Sequence, residues 1–142
     1  MERKASAIWQ GSLKEGKGAI STESGVLKQT QYSFSTRFEN GKGTNPEELL
    51  AAAHAGCFTM AVSNELGKLG MTPTKLETTA TITLEKVSDG LSITKSHLDL
   101  VADIPAANKE KFEAAVKTAE KGCPVSKLFK AEITVSARLT GS

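Results

Sequence analysis

The sequence predicts an α+β fold. Three observations carry that prediction. Residues 44–63 read as one long helix with almost no polar face. Residues 76–85 and 131–140 alternate with period two, as half-buried strands do. Residues 107–121 place apolar side chains at helical spacing between lysines and glutamates. The predicted order is β-hairpin, strand, buried helix, hairpin, helix, strand, with mostly antiparallel sheets.

Ala5–Gln10 reads as a short strand that Gly11 ends, with Lys17–Thr22 as its hairpin partner across turn-forming residues. Tyr32–Phe38 alternates aromatic and polar residues and reads as a third strand, with Arg37 on the polar parity. Asn40–Gly43 is a loop that delivers the chain to the long helix. Asn45 is placed to cap that helix, Pro46 suits its first position, and Glu48 follows three residues after the cap. Glu47 and Glu48 add negative charge at the positive end of the helix dipole. The helix is expected to end near Leu69, with Gly70 just past it and Pro73 beyond. From Leu49 to Val62 nearly every face is apolar or small, which is the pattern of a helix covered all round. A second subunit is one source of that cover.

Leu76, Thr78, Ala80, Ile82 and Leu84 share one strand face. Ser88-Asp89-Gly90 makes a hairpin turn, and a return strand runs from about Leu91 to Ala102, with Leu98, Leu100 and Ala102 in phase. Pro105 closes it. The second helix, Ala107–Lys121, buries Phe112, Ala115, Val116 and Ala119 and stops at Gly122. Cys123-Pro124 can open a short third helix, and Ala131–Thr140 is the last strand.

The 142 residues, read as a single domain 1–142, suffice for a sizeable core. A formal net charge of +2, with scattered basic residues, gives no nucleic-acid footprint, and 5% aromatics leave little for stacking bases. The apolar helix run is too short and too Ala-rich to span a membrane, and no apolar signal core follows Met1-Glu2-Arg3-Lys4. The expectation is a soluble cytoplasmic protein without a membrane or nucleic-acid partner.

In a reducing compartment two distant cysteines, Cys57 and Cys123, suit catalysis or redox chemistry, or lie inert in the core. Burial raises a thiol pKa, so a reactive Cys57 needs a cation or donor nearby. His54 lies three residues earlier, and Arg37 is the isolated cation upstream. Glu47 precedes Cys57 by nearly three helical turns, about 15 Å along the axis, too far to touch the sulfur but able to hold an arginine. The bland alternatives are a first-turn Glu47, a solvated Arg37 and a core His54. Cys123 sits where a short helix would begin, which lowers a thiol pKa, or simply fills a turn. A metal site from His54, Cys57, His97 and Cys123 lacks the paired cysteine spacing of structural zinc. A Cys–His acyl-transfer site with His54 as base lacks a nucleophile signature.

Several stretches carry a resemblance. They are Ser21–Leu27, Thr36–Glu39, Gly43–Leu49 leading into Ala55-Gly56-Cys57-Phe58, Lys121–Ser126, and Lys130–Thr134. In order and spacing they resemble the OsmC/Ohr family of thiol-dependent hydroperoxide peroxidases, and within it the osmotically inducible branch. The resemblance implies an intertwined homodimer with long cysteine helices buried at the centre and antiparallel sheets wrapped outside. It implies a peroxidatic Cys57, a resolving Cys123, an Arg37 that stabilises the Cys57 thiolate and a Glu47 that steadies this arginine. It implies reduction of organic hydroperoxides in oxidative and osmotic stress defence, through a sulfenic acid and an intramolecular disulfide. The reductant would be an external dithiol or a lipoylated protein, with no cofactor and no metal. Phe38, Phe58 and Met60 are expected to make the site apolar. Gly56 stands where many relatives carry alanine, and His54 carries no family role.

Overall fold

The N-terminal hairpin forms as expected from Ala5–Gln10 (β1) and Lys17–Thr22 (β2), paired antiparallel. A short strand, Thr30–Tyr32 (β3), pairs antiparallel with β2. Gly18 lies opposite both Trp9 and Tyr32 in this register. A Cβ there would come within 2.6 Å of ring atoms of Trp9 and 2.4 Å of those of Tyr32, so glycine lets the two rings meet at 5.5 Å. The computed structural model describes residues 1–140, in two compact units, Met1–Leu49 and the residues from Leu50 onward.

The expected strand Tyr32–Phe38 is overturned. Only Tyr32 is strand; Phe34–Phe38 is a short helix (α1). Ser33 and Thr36 explain it. The Thr36 amide donates to Ser33 Oγ (3.3 Å) and the Ser33 amide donates to Thr36 Oγ1 (2.8 Å), a reciprocal cap. Local side-chain bonds of this kind compete with a sheet ladder and here prevail over the aromatic alternation.

The long helix, Pro46–Lys68 (α2), starts as its sequence predicts. The Glu48 amide donates to Asn45 Oδ1 at 2.7 Å, and Thr44 Oγ1 donates to Glu48 Oε2 at 2.8 Å. It ends at Gly70, with φ +78°, where the Met71 amide bonds the Leu66 carbonyl at 2.9 Å and the Gly70 amide bonds Gly67 at 3.1 Å.

In the second unit, Lys75–Val87 (β4) and Gly90–Asp103 (β5) form the predicted hairpin across Ser88-Asp89. Lys109–Gly122 (α3) is capped by Asn108, whose Oδ1 accepts from the Lys111 amide at 3.0 Å. Pro124–Leu128 (α4) follows Cys123, and Glu132–Thr140 (β6) closes the sheet in the order β4–β5–β6. β6 runs parallel to β5, an exception to the antiparallel expectation. Helices α3 and α4 lie between the two strands and carry the chain back to the same end of the sheet.

The core joins Phe58, Val62 and Leu66 of α2 to Leu98, Leu100 and Ala102 of β5 and to Phe112, Ala115, Val116 and Ala119 of α3. Each fully buried large side chain contributes roughly 1.5–3 kcal/mol. Among the described residues one face of α2 is buried, the row His54, Phe58, Val62, Leu66. Ala52, Ala53, Gly56 and Met60 are exposed. The burial on every face that the sequence predicts is therefore not met among the described residues.

Candidate functional site

Two pairs of predicted residues form, one in each unit. In the second unit, α2 carries Cys57 and the start of α4 carries Cys123. Their sulfurs lie 2.9 Å apart, at hydrogen-bond distance, with both thiols free. Cys123 is 0% exposed, whereas Cys57 is half-buried. Cys57 lines a cleft of about 410 Å³ with Met60, Asn64 and Glu65 of α2 and Thr118 of α3. Met60 is 77% exposed, as an apolar rim to the site requires. Phe58 does not line the cleft as expected; it lies three residues before Ala61, points into the core and is fully buried.

The two thiols differ electrostatically. Burial and the adjacent Cys123 thiol push Cys57 up, and the Val125 amide only partly opposes them. Burial also pushes Cys123 up, but its hydrogen bond to Cys57, the amide and hydroxyl of Ser126 and the Val125 amide together hold it below the ordinary thiol value. So close a pair shares protons and titrates as one unit.

In the first unit, Arg37 and Glu47 make a bidentate pair. Arg37 Nε donates to Glu47 Oε1 (2.9 Å) and Nη2 to Oε2 (3.1 Å). This fork fixes the guanidinium plane and leaves further N–H groups on Nη1 and Nη2 for an anion. The guanidinium carbon also lies 5.3 Å from the Phe38 ring centroid, and Phe38 packs on Phe34 at 4.9 Å. α1 supplies the arginine and the first turn of α2 the glutamate. Asn45 Nδ2 donates to the Thr36 carbonyl at 3.0 Å and ties those two segments together.

His54 is a satisfied core histidine. Its Nδ1 meets Ser96 Oγ at 2.6 Å and its Nε2 meets Ser126 Oγ at 2.8 Å, so neither nitrogen serves Cys57 as a base. Burial pushes its pKa down. His97 Nδ1 bonds Thr134 Oγ1 at 2.5 Å. Among the described residues no three His, Cys, Asp or Glu side chains are grouped to hold a metal, and the four potential ligands do not converge. Sequence reasoning missed Ser96 and Ser126. Ser96 was visible in principle, as a hydroxyl on the same strand parity as buried Leu98, Leu100 and Ala102.

Comparison with known proteins identifies relatives of this chain. A family model described as OsmC-like protein matches residues 39–138. The chain is 50% identical over 139 residues to the peroxiredoxin OsmC of Escherichia coli K12, covering 98% of this chain and 97% of the relative. Its fold matches the crystal structure of the organic hydroperoxide resistance protein OhrB of Bacillus subtilis with a TM-score of 0.68 at 25% identity, covering 96% of this chain and 98% of that one. An OsmC-like protein of unknown function from Vibrio cholerae shares the fold with a TM-score of 0.78 at 17% identity, covering 96% and 99% of the two chains. The extent of the family match and the half-identical relative place this chain in the OsmC-like family.

Proposed function

We propose that this chain is a cysteine-based peroxidase that reduces organic hydroperoxides, with Cys57 as the peroxidatic and Cys123 as the resolving residue. The observation that carries it is the pair of free sulfurs 2.9 Å apart, of which Cys57 lines a cleft while Cys123 is sealed. A peroxide can reach Cys57; the disulfide partner already waits behind it. Relatives named as a peroxiredoxin and as organic hydroperoxide resistance proteins support the chemistry.

The Cys57 thiolate attacks the distal peroxide oxygen. The O–O bond breaks, the alkoxide takes a proton and leaves as alcohol, and Cys57 becomes a sulfenic acid. The Cys123 sulfur then bonds to the Cys57 sulfur, and the hydroxyl oxygen leaves as water. A dithiol, either small or carried on a lipoylated protein, restores both thiols by exchange. Cys57 is pushed toward the thiol form by its own surroundings, so the mechanism needs a cation. Arg37, held in plane by Glu47, is assigned that role, and it also favours the developing alkoxide charge. No metal or cofactor takes part.

Residues 1–142 act as one functional domain, since the family match runs from the first unit through the second. The open small-residue face of α2, with Ala52, Ala53 and Gly56, is assigned to a homodimer contact. Among the described residues no helix is long and apolar enough to cross a membrane; a cytoplasmic setting is assigned because a reducing compartment keeps a pair of free thiols reduced. The test is turnover with dithiothreitol. Tert-butyl hydroperoxide is expected to be consumed faster than hydrogen peroxide. Equal rates would refute the preference for organic substrates. Two thiols still free after stoichiometric peroxide would refute the peroxidase.

A further inference from the structure

The thiol pair has a chelating geometry that the peroxide reaction does not use. Cys57 Sγ and Cys123 Sγ lie 2.9 Å apart, and both are free. Helix backbone holds each of them. The Cys123 amide donates to the Ala119 carbonyl at 3.0 Å, closing α3, and the Cys123 carbonyl accepts from the Lys127 amide at 3.1 Å, opening α4. Cys57 stands in the interior of α2, with more than two turns of helix on either side.

The separation selects among soft centres that bind thiolates. With bonds of about 2.3 Å, the length of a zinc–thiolate bond, two sulfurs on one centre stand about 3.3–3.5 Å apart at a pyramidal angle of roughly 90–100°, about 3.8 Å apart at the tetrahedral angle and about 4.6 Å apart in line. From 2.9 Å, a pyramidal centre needs an opening of about 0.5 Å, whereas a linear one needs about 1.7 Å against the pinned Cys123. Coordination number narrows the choice. Among the described residues no three His, Cys, Asp or Glu side chains are grouped, and both nitrogens of His54 already bond serine hydroxyls. Structural zinc takes four protein ligands and would find two. A pyramidal trivalent centre that brings its own third substituent is complete with two sulfurs. Trivalent arsenic is such a centre. Its third bond has one way out, because Cys123 is sealed and Cys57 opens on the cleft. Met60, Ala61, Ala119 and Pro124 give that cleft apolar walls, and Glu65 is its one charged side chain among the described residues. An apolar uncharged substituent is favoured there and an anionic one is opposed.

We propose that the reduced Cys57–Cys123 pair is a chelating site for uncharged organic trivalent arsenicals, R–As=O, with R an aryl or alkyl group seated in the cleft beside Met60 and Pro124. Two As–S bonds form, and the As=O oxygen takes the two thiol hydrogens and leaves as water. Arsenic stays trivalent, so no electron is transferred. The chelate and the disulfide use the same two sulfurs and exclude each other, which confines binding to the reduced chain. The site needs only the two thiols and stands whether or not the chain consumes peroxide.

The test adds one equivalent of phenylarsine oxide to the reduced full chain. The readouts are intact mass, the count of free thiols and the retention of arsenic against excess glutathione. One phenylarsenic per chain and a fall from two free thiols to none are expected. Cys57→Ser and Cys123→Ser should each weaken retention at least about 100-fold, the loss of the second, intramolecular bond. In urea the two thiols end a loop of 66 residues, and its closure entropy should weaken retention about a thousandfold. Inorganic arsenite, which lacks the apolar group, should be held about tenfold less well, the worth of roughly two buried CH₂ groups. Closing the 57–123 disulfide with diamide should abolish uptake. Arsenic on Cys57 alone with Cys123 still titratable, or equal retention by the native and urea-unfolded chains, would overturn the proposal. Equal retention of arsenite and the phenyl compound would overturn the seat for R. None of these readouts uses peroxide, so this failure is distinct from that of the peroxidase reading, which turnover of tert-butyl hydroperoxide decides.

Discussion

Closing the Cys57–Cys123 disulfide is expected to raise the stability of this protein substantially. The perturbation is one equivalent of an organic hydroperoxide. The two sulfurs start 2.9 Å apart, and a disulfide bond is about 2.0 Å long, so the bond forms with under about 1 Å of approach. Little native geometry has to change. The cysteines are 66 residues apart in sequence, so the bond removes a long loop from the unfolded ensemble. The loop-entropy relation gives about 4 kcal/mol for that length. For a chain of this size such a gain corresponds to a rise in Tm on the order of 10 °C. Calorimetry of the reduced and oxidised proteins at one concentration reads the shift, and Cys123→Ser should show none on the same treatment. An intramolecular 57–123 disulfide confirmed by mass, with an unchanged or lower Tm, would refute the reasoning: the thiols would not be preorganised as described.

Three further predictions follow from particular residues. His54 is neutral and buried, with its pKa lowered, so between its ordinary value near 6.5 and its folded value the unfolded chain binds the extra proton. Stability is therefore full above about pH 6.5 and falls as pH drops, with a slope toward about 1.4 kcal/mol per pH unit from this group; denaturant unfolding should show the fall, and His54→Gln should flatten it. Arg37→Ala should lower kcat/KM for tert-butyl hydroperoxide by about 10- to 100-fold, the loss of one charge-assisted interaction, and should slow alkylation of Cys57 in parallel. An alanine Cβ at Gly56 meets nothing within 4 Å among the described residues, but that face is assigned to a homodimer contact, so Gly56→Ala should weaken the dimer in sedimentation at low concentration; an undisturbed dimer with a gain of roughly 0.5–1 kcal/mol in thermal unfolding, the helix propensity alone, would refute that assignment.

Much of the fold was legible because the signals were local. The Asn45 cap, the Gly70 stop, the alternation of β4 and the Phe112–Ala119 stripe each stand within a few residues, and the structure has all four. Phe34–Phe38 defeated the pattern because the Ser33–Thr36 reciprocal bonds outweighed an alternation of only a few residues. The parallel direction of β6 lies in where α3 and α4 leave the chain, which no strand pattern records. In the candidate site, the resemblance named both members of each pair, and the structure adds the distances. No periodicity relates Cys57 to Cys123, or Arg37 to Glu47, because each pair is joined by tertiary packing. The His54 cluster was hidden for the same reason: its serines lie 42 and 72 residues from the histidine.

The central claim is that peroxide oxidises Cys57, although the local environment favours the thiolate of Cys123. The direct measurement is the site of oxygen addition after substoichiometric tert-butyl hydroperoxide, read by peptide mass in Cys123→Ser and Cys57→Ser side by side. The account predicts a sulfenic acid on Cys57 in the first variant and an untouched Cys123 in the second, because Cys123 is sealed from solvent. Oxygen on Cys123 in the second variant, formed as fast as on Cys57 in the first, would contradict it.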